Sequence, residues 1–361
     1  MLSDLFGGRL EINEDLPWAV VFSEILQECE HSLQAPRANL RDFDISFWLT
    51  MERKFNAHCV AYKGEGLIAI SGITISKLLQ AARSIVTGGA RLIRMDAEAA
   101  AVVPYVSATF EEIMLDRSLY ENLPNFNDQF LVSSSIRIAI DILLNHELAH
   151  IIHGHAGWLK KEFGIIGISE DCTDLGTENE ILRKTLEWDA DALAIQRTLM
   201  RGLNIELRPP GQNEGRYSKM PPYGRFGSRD QCLHAFGIGI YLLARFFDEN
   251  KSSEKIQNLH PPVWYRIQHA FLMIVHMFDV RIFPITDDLS DKIVLPLMYG
   301  ALQAEEAWCG ATGREKILGN LFDEEFIQRG AMITSEYEVC WAFISPKLYE
   351  YRILPSLWDM I

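Results

Sequence analysis

The run from Ile136 to His150, IRIAIDILLNHELAH, constrains this chain more than any other stretch. Its first ten residues are apolar almost without interruption, the pattern of a buried central helix. It then ends in two histidines and a glutamate. Charged groups are expensive to bury without partners, so these three side chains need something to satisfy them. With 3.6 residues per helical turn, His146 and His150 lie on one face, one turn apart. Both can reach a single metal ion, with Glu147 beside them to hold a water. That is the HExxH arrangement of zinc peptidases. The plainer alternative is an amphipathic helix with two surface or capping histidines, and the apolar lead-in weighs against it.

A metal site with three protein ligands needs one more donor. The segment Glu187-Trp-Asp-Ala-Asp191 sits in a run from Thr177 to Ile195 with helical character and few breakers. Glu187 and Asp191 are four apart and share a face. Glu187 is assigned as the third ligand. Asp191 is assigned as the acceptor for the second N–H of a ligand histidine, since metal-bound histidines usually need one. Asp189 points away from both and is expected in solvent.

These segments resemble the gluzincin metallopeptidases of the HtpX and CaaX prenyl protease type, which pair HExxH with a later ExxAD. HELAHIIHGH at 146–155 and EWDADALA at 187–194 carry the likeness. Asn56-Ala-His-Cys-Val-Ala-Tyr-Lys-Gly-Glu-Gly-Leu-Ile resembles the strand pair before the family's catalytic helix. His260-Pro-Pro-Val-Trp-Tyr-Arg-Ile resembles its HPPxxxRI segment. The likeness spans roughly residues 55–270 but rests on these short stretches. It implies His146, His150 and Glu187 as zinc ligands, Glu147 as general base and Asp191 as the aspartate that orients a histidine. His260 and Arg266 match a pair near the active site that stabilises the tetrahedral intermediate. His155 matches a histidine of unassigned role. The implied fold is zincin-like, and the implied cofactor is one zinc ion per chain. Many members are integral membrane proteins, whereas this sequence has no convincing span. A weaker resemblance, without a diagnostic segment, is to Lit-type phage-exclusion peptidases, which act on a translation elongation factor.

Other site chemistries fit less well. The metzincin pattern fails, because His153 and Ala156 stand where that class needs other residues. His153 lies a further turn along and is expected to cap the helix or bond at the surface. The six cysteines are scattered with no CxxC pair, which disfavours a thiolate zinc site. No phosphate-binding GxxxxGK[ST] loop is present.

The formal charge, 34 − 49 = −15, argues against general nucleic-acid binding. The N-terminus lacks the pattern of a secretory leader, and the longest apolar runs fall short of the ~20 residues that span a bilayer. The expectation is a cytoplasmic zinc metalloendopeptidase with a polypeptide substrate, a cytoplasmic protein. The alternatives are a zincin-like regulatory or binding protein without turnover, and a phage-exclusion protease with a narrow substrate.

The expected architecture is mainly α with a small β-sheet. Helices are expected over 17–33, 74–86, 105–121, 134–162, 178–201, 231–249, 262–279, 288–308 and 314–328, with a small sheet over 56–72. The stretch Val60–Ile70 reads as a hairpin whose edge could pair with an extended peptide. Residues 202–229 are rich in turn formers and read as a long loop, a candidate lid. A metallopeptidase domain is expected over 1–280, its core at 55–280. A helical extension over 281–361 packs on it, with Trp308, Trp341 and Trp358 as core anchors.

Overall fold

The computed structural model describes residues 8–12, 15–39, 43–52, 56–62, 64–90, 110–169, 179–202, 226, 228–249, 260–277, 289–318 and 323–353. Among these the chain is mainly helical with one small mixed sheet, an α+β arrangement. Most of the expected 202–229 loop, and Trp358, lie outside the described residues.

The chain enters through α1 (Ala19–Asn39) into β1 (Asp44–Thr50), β2 (Ala57–Tyr62) and β3 (Glu65–Ser71). The sheet order is β1-β3-β2-β4, where β4 is the short Ile168–Ser169. β2 and β3 form the antiparallel hairpin, with Cys59 opposite Ile68 and Tyr62 opposite Glu65. Its tight turn uses Gly64 at φ +82°, a conformation that costs glycine little. β1 joins β3 in parallel. The hairpin is therefore interior to the sheet: β3 is covered by β1, and β2 meets β4 at His58 and Cys59. This takes up part of the hairpin edge expected for peptide pairing, at His58 and Cys59. β1 itself was not anticipated, although Ile45, Phe47 and Leu49 alternate inward in the period of a strand.

Next come α2 (Gly72–Thr87), α3 (Phe110–Leu115) and α4 (Arg117–Tyr120). The single helix expected over 105–121 is broken at Asp116, whose carboxylate accepts from the Ser118 N–H at 3.0 Å and restarts the helix. The 27-residue α5 (Phe126–Ile152) follows. Asn125 caps it by accepting from the N–H of Asn127 at 2.8 Å. Its residues from Ser134 on are buried but for Arg137, as its near-continuous apolar character requires.

The helix expected over 134–162 is in fact two. It stops at His153–Gly154, and α6 (His155–Phe163) starts in a new direction. Gly154 has φ +84°, and a Cβ there would run into the Tyr351 backbone. Glycine is thus required both for the turn and for the close approach of the C-terminal segment. This bend puts His155 back against His150 of α5.

α7 (Glu180–Gly202) and α8 (Arg229–Glu249) pack on α5, and α9 (Val263–Met277) packs on α7 and α8. α10 (Leu289–Thr312) lies tightly along α8. There a Cβ at Gly237 would overlap the Leu297 carbonyl, and one at Gly300 the His234 carbonyl. α11 (Glu324–Leu348) then closes over α7. The expected 314–328 helix is corrected. Gly313 turns the chain at φ +68°, and the Glu305 carboxylate ties down the N–H groups of Ile317 at 2.6 Å and Leu318 at 2.8 Å. Trp308 and Trp341 are buried, and one apolar core runs from Phe22 through α5 to Trp308 and Tyr337. No helix among the described residues is long and apolar enough to cross a membrane.

Candidate metal centre

α5 and α7 cross so that the HExxH turn faces the acidic turn of α7. His146 Nε2 lies 3.1 Å from Glu187 Oε2 and 3.1 Å from His150 Nε2. His150 Nε2 is 3.6 Å from Glu187 Oε1. All three side chains are at most 3 % exposed, so water does not solvate the cluster. Two imidazole nitrogens facing each other at hydrogen-bond distance need a shared cation, either a proton or a metal ion. Ligands of one zinc with bonds of ~2.0–2.2 Å stand roughly 3.3–3.6 Å apart in tetrahedral geometry. The observed spacings of 3.1–3.6 Å lie close to that range, and these residues form a buried group that could hold a metal ion.

The remaining ring nitrogens are already engaged. His146 Nδ1 faces Asp191 Oδ1 at 2.9 Å. His150 Nδ1 faces His155 Nδ1 at 2.9 Å. Each histidine is thus turned so that Nε2 points to the common centre. Such partners fix the tautomer and ring orientation of a metal ligand.

Charge around the cluster is balanced by Arg183, which sequence reasoning did not single out, and by His260 and Arg266, which it did. Arg183, one turn before Glu187 on α7, has Nε 2.8 Å from Glu187 Oε1, an ion pair set off the line of a hydrogen bond. His260, just before α9, has Nδ1 3.3 Å from Glu187 Oε2. Burial alone would raise the Glu187 carboxyl, but Arg183, His260 and His150 outweigh it and hold its pKa well below the usual range. Asp191 behaves alike: burial raises it, Arg266 and His146 pull it down further. His146 is pushed down by burial but lifted well above its ordinary value by Asp191 and Glu187. His150 is driven well below by burial. The Arg183 position carried a legible signal, since it precedes Glu187 by four residues on the same helix face.

Glu147 sits in the same turn of α5, buried, on the side facing β2. The Cys59 thiol of β2 is pushed well up by burial, by the Glu147 charge and by a hydrogen bond to Glu147. It therefore stays protonated beside that carboxylate.

Two expectations change. Asp189 is not in solvent but fully buried, with Oδ2 2.5 Å from His153 Nδ1 and 3.2 Å from His155 Nε2. Both sides of α7 are covered, so a residue that points away from Glu187 still points into protein. His153 ends α5, its N–H bonded to the Ala149 carbonyl, but its ring is buried on Asp189 rather than at the surface. Arg266 stands against Asp191. Its Nε and Nη2 donate to Asp191 Oδ2 and Oδ1, at 2.8 and 2.6 Å. It braces the aspartate, whereas His260 stands at the Glu187 carboxylate itself.

Compared with models of protein families, with curated proteins and with solved structures, the chain matches none.

Proposed function

We propose that this chain is a zinc-dependent metalloendopeptidase of the gluzincin kind. The observation that carries the reading is the buried convergence of His146 Nε2, His150 Nε2 and Glu187, with Glu147 on the same turn of α5. A structural zinc site has no need of a general base, so Glu147 favours chemistry over scaffolding.

His146, His150 and Glu187 would hold the ion. When bound, it would supply a Lewis acid and a water of lowered pKa. Glu147 would accept a proton from that water and pass it to the departing amine. His260, beside Glu187, is a donor close to the centre for charge developing on the carbonyl oxygen. Arg266 acts one step removed, by fixing Asp191, which fixes His146. Arg183 holds Glu187 ionised and ready as a ligand. The substrate in this reading is a polypeptide.

The test is zinc content together with peptide-library cleavage on wild type and Glu147→Gln. Zinc in both, with cleavage in wild type alone, supports the reading. Zinc in both with cleavage in neither points to a binding protein. Absence of zinc from wild type overturns the metal centre.

A further inference from the structure

Behind His150 lie three buried polar side chains that the reading above does not use. His155 opens α6, His153 ends α5, and Asp189 projects from α7, each at most 1 % exposed. They continue a line from the proposed ligand: His150 Nδ1 to His155 Nδ1 at 2.9 Å, His155 Nε2 to Asp189 Oδ2 at 3.2 Å, and His153 Nδ1 to the same oxygen at 2.5 Å.

The 2.9 Å gap between the two Nδ1 atoms holds one proton, not two. A neutral His150 that offers its Nε2 lone pair to a metal carries its proton on Nδ1. His155 must then accept at Nδ1 and carry its own proton on Nε2, which faces Asp189 in an ion-pair contact set off the line of a hydrogen bond. We infer that His155 and Asp189 are a positioning relay for His150, with His153 supplying the second donor that anchors Asp189. The inference rests on the zinc reading. It gives each ligand histidine its own acidic support from α7: Asp191 for His146, and Asp189, through His155, for His150. The run from 187 to 191 thereby contributes a ligand and both supports.

His153, His155 and Asp189 also converge closely enough to hold an ion of their own. The same proton argues against it. A metal on His155 Nε2 would move that ring's proton to Nδ1, against the Nδ1 proton of His150. The 2.5 Å between His153 Nδ1 and Asp189 Oδ2 is also hydrogen-bond spacing, well short of the ~3.3 Å between two ligands of one zinc.

The test combines zinc stoichiometry and zinc affinity, by competition with a chelator, in wild type, His155→Leu and His155→Asn. It adds histidine ¹⁵N spectra of the zinc-loaded wild type. Asparagine puts an oxygen acceptor where His155 has Nδ1, so it can restore the bond from His150. The relay predicts about one zinc per chain and a ~10–100-fold affinity loss in His155→Leu. It also predicts recovery of most of that loss in His155→Asn, and spectra with His150 protonated at Nδ1 and His155 at Nε2. The spectra need no variant, so the idea stays testable if His155→Leu fails to fold. Unchanged affinity in His155→Leu, or a His155 protonated at Nδ1, overturns the relay alone. Two zinc ions in wild type with one lost in His155→Leu replaces it with a second metal site. A wild type that binds no zinc overturns the metal reading and the relay with it.

Discussion

Arg266 and Asp191 meet through two parallel hydrogen bonds, 2.8 and 2.6 Å long, while the same carboxylate holds His146 at 2.9 Å. Arginine suits this role because its planar fork matches a carboxylate. The pair is almost fully enclosed, with side chains 9 % and 11 % exposed. Asp191→Ala therefore removes two things at once. The guanidinium is left buried without its counter-charge, which costs about 3–5 kcal/mol. The His146 ring also loses the acceptor that sets its tautomer, which weakens zinc ~10–100-fold. Urea unfolding and zinc competition on the variant check both. A variant as stable and as tight as wild type contradicts the arrangement.

Glu147→Gln separates chemistry from binding. The substitution keeps the shape of the side chain and leaves all three proposed ligands in place. Zinc content is expected to stay near that of wild type, and peptide cleavage to fall ~10²–10⁴-fold. Cleavage kept within a few-fold of wild type would move the general base to another residue.

The α8–α10 crossing depends on glycine for space. Gly237→Ala drives a methyl group into the Leu297 carbonyl, and backbone cannot yield as a flexible side chain does. A loss of about 1–3 kcal/mol is expected, comparable to overpacking a core. Gly310→Ala serves as the control, since a Cβ at that α10 position meets nothing within 4 Å. It is expected to stabilise by about 0.5–1 kcal/mol through helix propensity. Denaturation midpoints of the two variants should move in opposite directions.

His269 sets an acid sensitivity. It is buried between Trp188 and Tyr265, with ring centroids 5.7 and 5.8 Å away. Burial lowers its pKa to about 4, with Asp191 pulling the other way. Between pH 6.5 and 4 the unfolded chain holds a proton on this residue that the folded protein does not. Stability therefore rises with pH across that window, and up to roughly 3 kcal/mol is lost on acidification. His150 and His155 shift in the same direction and His146 in the opposite one. In metal-free protein, His269→Phe should flatten the pH dependence of urea stability over this range. An unchanged slope would mean that His269 does not titrate as its burial requires.

What the sequence made legible follows from physical range. His146, Glu147 and His150 are fixed relative to one another by a single helical turn, so their spacing alone puts them together. Glu187 and Asp191 needed only one further assumption, a second helix with both on one face. Asp189 was misread because periodicity tells which side of a helix a residue occupies, not what covers that side. Here α11 and the α5–α6 bend enclose the face expected in water. The bend itself hinges on Gly154, whose requirement comes from Tyr351, nearly two hundred residues away in the chain. β1 was missed although its alternation was present, and the Gly313 turn shows how a glycine outweighs the helical character around it.

The central claim is that His146, His150 and Glu187 hold one zinc ion. Its most direct test is the zinc content of purified wild-type protein beside Glu187→Ala and His150→Ala, each prepared without a metal-affinity column. The account predicts about one zinc per chain in wild type and far less in either variant. Zinc-free wild type that takes up none when offered it, or full occupancy retained in both variants, would contradict it.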